Sequence, residues 1–196
     1  MYTSRVPKLW TETVETHRRD VTDAILDAAG ELLAAHGALG VTMSEVAQRA
    51  RIGRATLYKY FPDLESILLA WHDRQVDHQL RRLAAARDGE GAPLARLRAV
   101  LEAYAASLSA RPRHPELEPL VHSGPGVDGA RSRLQDFLRG LVDDAAASGQ
   151  VRRDVPVDEL AGYCAHALSG AQKLSSTVAV GRLVDLILAG MAPTPG

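Results

Sequence analysis

Between Arg49 and Lys59 the chain carries four cations, Arg49, Arg51, Arg54 and Lys59, and no acid. Two phenols, Tyr58 and Tyr60, lie in the same run, RIGRATLYKYF at residues 51–61, while the whole chain has a net charge of −1. Cations and hydroxyls with no carboxylate among them suit an anionic partner, above all the phosphates of a nucleic acid. A merely solvated helix face is the competing reading, but such a face seldom exposes two aromatics. At ~100° per residue, Leu57 and Phe61 lie within about 40° of each other and must turn toward a core. Ala55, Thr56 and Lys59 then lie opposite, flanked by Tyr58 and Tyr60. A small residue and a hydroxyl permit close approach to base edges, with phosphate contacts on either side. Arg54, at the start of the same helix, adds a guanidinium.

A short helix must present that face, and the residues before it supply a second one. Thr42 precedes MSEVAQRA, with Glu45 three residues on, the spacing of a capping box. Met43, Val46, Ala47 and Ala50 give this helix one apolar face. An earlier helix carries Val21, Ile25, Ala28, Ala29, Leu32 and Leu33 at helical spacing and stops at Gly37. Pro62 ends the basic helix and Asp63 can cap a longer one, which buries Leu64, Ile67, Leu68 and Trp71 and runs to about Arg87. Helix, tight turn and short helix in this order predict a helix-turn-helix, whose second member lies in the DNA major groove.

Residues 21–71 resemble the DNA-binding domain of the TetR family of bacterial transcriptional regulators. The stretches that carry the likeness are ILDAAGELLAAHG, VTMSEVAQRARIGRATLYKYF and PDLESIL. Farther on, GQVRRDVPVDELA is similar to the segment that leads into the family's penultimate helices. The resemblance implies a homodimer with an N-terminal three-helix DNA-binding domain and a divergent C-terminal bundle for ligand binding and dimerisation. It also implies roles by position. Thr42 and Ser44 match places that meet phosphate or a base edge, and Arg54, Ala55 and Thr56 match places that face bases. Tyr58, Lys59 and Tyr60 match places that grip the backbone. Two positions depart from the pattern. Arg51 stands where the family usually has Gly, and Leu64 where it often has Lys. A left-handed backbone would cost Arg51 about 1 kcal/mol more than Gly, so either the turn differs or a phosphate contact compensates.

The rest of the chain reads as helices too, which makes the fold class all-α. DGEGAP (88–93) is a break, and Leu94, Leu97, Leu101, Tyr104 and Leu108 then recur at spacings of 3 and 4. RPRHP (111–115) cannot continue a helix. A short ELEPLVH and the Gly-rich SGPGVDG precede a long helix from about Ala130 that ends at Gly149. Pro156 opens another helix, and the last begins near Thr177. One apolar stripe, Leu160, Tyr163, Ala167, Leu168 and Ala171, and another, Leu183, Val184, Ile187 and Leu188, are expected to meet a second copy as a four-helix bundle. The expected division is an N-terminal arm over residues 1–17, a DNA-binding domain over 18–62 and an effector-binding and dimerisation domain over 63–196.

Other chemistries are excluded on residue type and context. GPGVDG (124–129) matches the letters of a dinucleotide fingerprint, but no strand precedes it and no βαβ unit surrounds it. No H-x-x-x-H pair occurs and no His neighbours Cys164, so no metal site is expected. Nucleophile motifs are absent, so neither a catalytic residue nor a cofactor is expected. One cysteine excludes an internal disulfide. No apolar run reaches the ~20 residues of a membrane span and no signal peptide is evident, so a cytoplasmic protein is expected.

For an effector, position and residue type pick out Trp71, His78, Leu101, Tyr104, Phe137, Leu141, Tyr163 and His166 as candidate pocket walls. The expected function is a transcriptional repressor released from operator DNA by a small molecule. A regulator of the same fold that answers a protein partner or activates is one alternative. An all-α enzyme or scaffold with a vestigial helix-turn-helix is the other.

Overall fold

The computed structural model describes residues 8–37, 40–110 and 127–194, and among them finds eight α-helices and no strand. These are α1 (Lys8–His36), α2 (Met43–Arg49), α3 (Arg54–Tyr60), α4 (Leu64–Arg87), α5 (Pro93–Ala110), α6 (Val127–Ala147), α7 (Val157–Ser169) and α8 (Thr177–Gly190). RPRHP, ELEPLVH and the start of SGPGVDG lie outside the described residues. α6 opens at Val127, three residues before the expected start near Ala130, and takes in the last part of that segment. Nor is all of residues 1–17 the arm that was expected, since α1 already runs from Lys8.

The chain divides into two compact units, one up to Asp73 and the other from Arg74 onward. The first is built on α1. Its fully buried Ile25, Ala29 and Leu33 meet Val46 and Ala47 of α2, Leu57 of α3 and Ile67 of α4. A Cβ at Gly30 would lie 2.6 Å from Nε1 of Trp71, so only glycine there lets the indole lie across α1. Trp71 therefore belongs to the packing of this unit.

Capping chemistry sets the helix ends. The Thr42 hydroxyl accepts from the Glu45 N–H at 3.3 Å and donates to the Glu45 carboxylate at 2.7 Å, closing the expected box on the hydroxyl itself. The Asp63 carboxylate accepts from the Ser66 N–H at 2.8 Å and starts α4. Gly37, at φ +68°, ends α1.

In the second unit α5 packs against α6, α7 and α8, and α6 pairs with α7. Leu97, Leu101, Leu138, Leu168 and Ile187 are completely enclosed. This corrects the expected dimer stripes: Leu160, Leu168, Ala171, Val184, Ile187 and Leu188 all fill this chain's own core. The apolar residues left outside are Tyr163 (43 % exposed), Val178 (65 %) and Leu186 (69 %). Arg98 ties α5 to α8 through Asp185 at 2.6 Å, and Arg139 ties α6 to α7 through Asp158 at 2.8 Å. Both pairs are exposed, so each adds at most about 1 kcal/mol. No helix among the described residues is long and apolar enough to cross a membrane.

Candidate nucleic-acid interface

Leu57 is the anchor of α3. Its side chain is fully buried, and Phe61 packs beside it at the helix end. Burying that edge forces the opposite one outward, so Arg54, Ala55, Tyr58 and Lys59 are exposed, Tyr58 to 49 %. Thr56 is half-buried. Tyr60 differs from the sequence expectation: it leans back against the core, beside Phe61. On α2, the capping Thr42 and the next-turn Ser44 are both exposed. Seven of the eight residues expected at a DNA surface thus hold some exposure on the outer side of α2 and α3, and Tyr60 does so only at its edge.

The charge of the patch is smaller than the sequence count implied. Arg49 turns to α1 and pairs with Glu31 at 2.9 Å, which removes one of the four cations. Arg51, Arg54 and Lys59 have no acidic partner among the described residues. Three cations without an acidic partner on one side of the turn and α3 form the electrostatic footprint of an anion-binding face.

The turn between α2 and α3 settles the question that Arg51 raised. Arg51 has φ +57° and is the only residue other than glycine with a positive φ among the described residues. Its N–H donates to the Gln48 carbonyl at 3.2 Å, and the Ile52 N–H donates to the Ala47 carbonyl at 3.0 Å. That pair of bonds is a Schellman ending, which requires a left-handed residue at this position. The turn keeps the geometry that suits glycine, and Arg occupies it at a cost of about 1–2 kcal/mol. Ile52 then folds into the core and fixes the angle at which α3 leaves the turn.

The eight candidate effector residues do not form one site. Leu101 and Leu141 are enclosed in the second core, and Tyr104 and Phe137 pack against it. Phe137 also receives the Arg87 guanidinium at 5.4 Å from its ring centre. Trp71 lies in the first unit. His78 is exposed, as is His166, whose ring nitrogen bonds the Gly162 carbonyl at 2.7 Å. The Tyr163 phenol lies over Gly190 of α8, where a Cβ would come within 2.8 Å of its hydroxyl. Sequence reasoning missed Gln79, the one buried polar side chain among the described residues, whose amide oxygen accepts from the Ser107 hydroxyl of α5. Its only signal was a polar residue amid the apolar spacing of α4.

Cys164 is buried, with its sulfur 3.3 Å from that of Met191, and burial pushes its thiol pKa up to about 12. It is a core residue rather than a reactive one. No group of three or more His, Cys, Asp or Glu among the described residues is placed to hold a metal.

The sequence model described as bacterial regulatory proteins, tetR family, matches residues 25–71, the first unit from the middle of α1 to Trp71. No curated protein sequence matches the chain. Solved structures are similar over most of its length. A TetR/AcrR-family transcriptional regulator from Thermobifida fusca YX-ER1 superimposes with a TM-score of 0.71 at 22% identity, covering 87% of this chain and 98% of that one. The transcriptional regulator FadR from Bacillus subtilis, solved with stearoyl-CoA, gives 0.70 at 16%, covering 86% and 98%. AibR, solved with isovaleryl coenzyme A and operator DNA, gives 0.61 at 22%, covering 89% and 100%. At such identities the likeness speaks to the fold. The family's own sequence pattern thus lies on the helices that build the basic face: residues 25–71 carry the DNA-binding pattern of the tetR family of bacterial regulatory proteins, on a chain whose fold is that of such regulators.

Proposed function

We propose that the protein is a cytoplasmic, homodimeric repressor that a small molecule releases from its operator. The observation that carries the DNA-binding part is the outer face of α3, where Arg54, Tyr58 and Lys59 stand exposed and the two cations unpaired, while Leu57 is enclosed. Arg54, Ala55 and Thr56 face bases, Tyr58, Lys59 and the edge of Tyr60 grip phosphates, and Thr42 and Ser44 anchor the start of α2. The exposed Tyr163, Val178 and Leu186 of α7 and α8 form the dimer face, in place of the stripes that fill the core.

The second unit is the effector domain. Ligand pockets join apolar walls to a few polar groups, and the part-buried Gln79–Ser107 hydrogen bond between α4 and α5 supplies such a group beside this unit's apolar packing. A ligand acts only through its preference for the state that does not bind DNA. α4, which contributes residues to both units, is the element through which that preference is felt. Two structurally similar regulators are solved with acyl-coenzyme A thioesters, which makes this the ligand class to test first. Thermal-shift measurements with short- and long-chain acyl-CoA are expected to raise Tm. The same compounds are expected to lower the fluorescence anisotropy of a bound duplex. A Tm rise with DNA still bound would leave a ligand site but contradict release.

A further inference from the structure

Among the described residues, one helix ending is built on two different residues. At the end of α6, the Gly149 N–H donates to the Ala146 carbonyl at 3.0 Å, the Gln150 N–H donates to the Ala145 carbonyl at 3.0 Å, and Gly149 has φ +76°. At the end of α2 the same two bonds form around Arg51 at φ +57°. Left-handed backbone favours glycine wherever it occurs, and the chain places glycine at Gly37, Gly91 and Gly149. Among the described residues, only the turn that leads into α3 puts a long cation at such a position.

The Arg51 side chain is exposed and has no acidic partner among the described residues, whereas Arg49, two positions earlier, is held by Glu31. Strained backbone persists where the surroundings over-determine it, and such positions gather at binding sites. Here the half-buried Ile52, next in the chain, packs against the core and pins the turn, so Arg51 cannot relax without pulling that side chain off the core. We propose that Arg51 is a DNA-phosphate contact of this protein, a cation carried on the helix-turn-helix turn beside the face formed by Arg54 and Lys59. The proposal rests on the reading of α3 as the DNA-binding helix. Its consequence is a trade in which the turn gives up fold stability for affinity.

The test uses a duplex enriched by the wild-type protein from a random-sequence pool, with binding measured at several salt concentrations. Arg51→Gly removes strain and charge together. It is expected to raise Tm by about 2–4 °C and to lower the slope of log affinity against log salt by about 0.9 per protomer. Arg51→Asn tolerates the left-handed backbone without the charge, and is expected to lower the slope equally. Arg51→Lys keeps the charge and is expected to keep the slope. A higher Tm with unchanged affinity and slope in Arg51→Gly would overturn the proposal and leave the DNA-binding reading intact. Weaker binding at an unchanged slope would also overturn it, because the loss would then lie in the turn's shape. If the wild-type protein enriches no duplex, the DNA-binding reading fails and this proposal with it.

Discussion

Leu57 and Tyr58 are neighbours on α3 with opposite surroundings, one enclosed and the other about half exposed. Hydrophobic burial is expected to hold the first and leave the second free to serve a partner. Tyr58→Phe removes one hydroxyl and nothing the fold uses, so Tm should stay within a degree or two. A hydrogen bond of about 1 kcal/mol to DNA would be lost, weakening binding roughly fivefold per contact. A fall of many degrees in Tm, with binding reduced only by the unfolded fraction, would make Tyr58 structural. At this scale the sequence was largely readable, because the outward face of a single short helix follows from where its apolar residues lie. It did not tell that Arg49 pairs with Glu31, since that ion pair joins residues on different helices. Nor did it tell that Tyr60 leans inward, because a position flanking the outward face is decided by the neighbouring helix rather than by spacing.

Helices announce themselves through local signals, and these were legible where they were local. The Thr42 box, the Asp63 cap, the glycines that end α1 and α6 and the break before Pro93 all fall at the expected ends. The dimer stripes show where such reading stops. α8 carries Val178 and Leu186 on one side and Val184, Ile187 and Leu188 on another, so periodicity alone does not tell which apolar side faces the chain's own core. Packing against α5 and α7 decides it, and the exposed side is the one left for a partner. Leu186→Asp should therefore leave the helical fold intact while driving the protein to a monomer in light scattering at micromolar concentration. A wild-type protein that is already monomeric there would contradict the assignment of this face.

The two units differ in how much of their function a sequence can display. The proposed DNA-binding face is written in one short stretch, Thr42 to Tyr60, so its chemistry is visible before any folding is known. An effector site draws residues from distant segments, and its apolar walls look like core until the helices are packed. Leu101 and Leu141 are core indeed, while the buried Gln79 was not singled out. As a whole molecule, the proposed dimer has to place two copies of α3 in successive major grooves, about 34–36 Å apart or a multiple of it. The most direct test compares Lys59→Ala and Arg54→Ala with wild type in anisotropy titrations over a range of salt. Two duplexes are used, one enriched by the protein and one scrambled. Lysine is a point charge suited to phosphate, so Lys59→Ala should lower the salt slope by about 0.9 per protomer and weaken both duplexes alike. Arg54→Ala should instead lose about 1–3 kcal/mol on the enriched duplex alone, as expected of a guanidinium that reads a base edge. If Lys59→Ala leaves affinity and salt slope untouched, the basic face of α3 is only solvated and its assignment as the DNA-reading helix is contradicted.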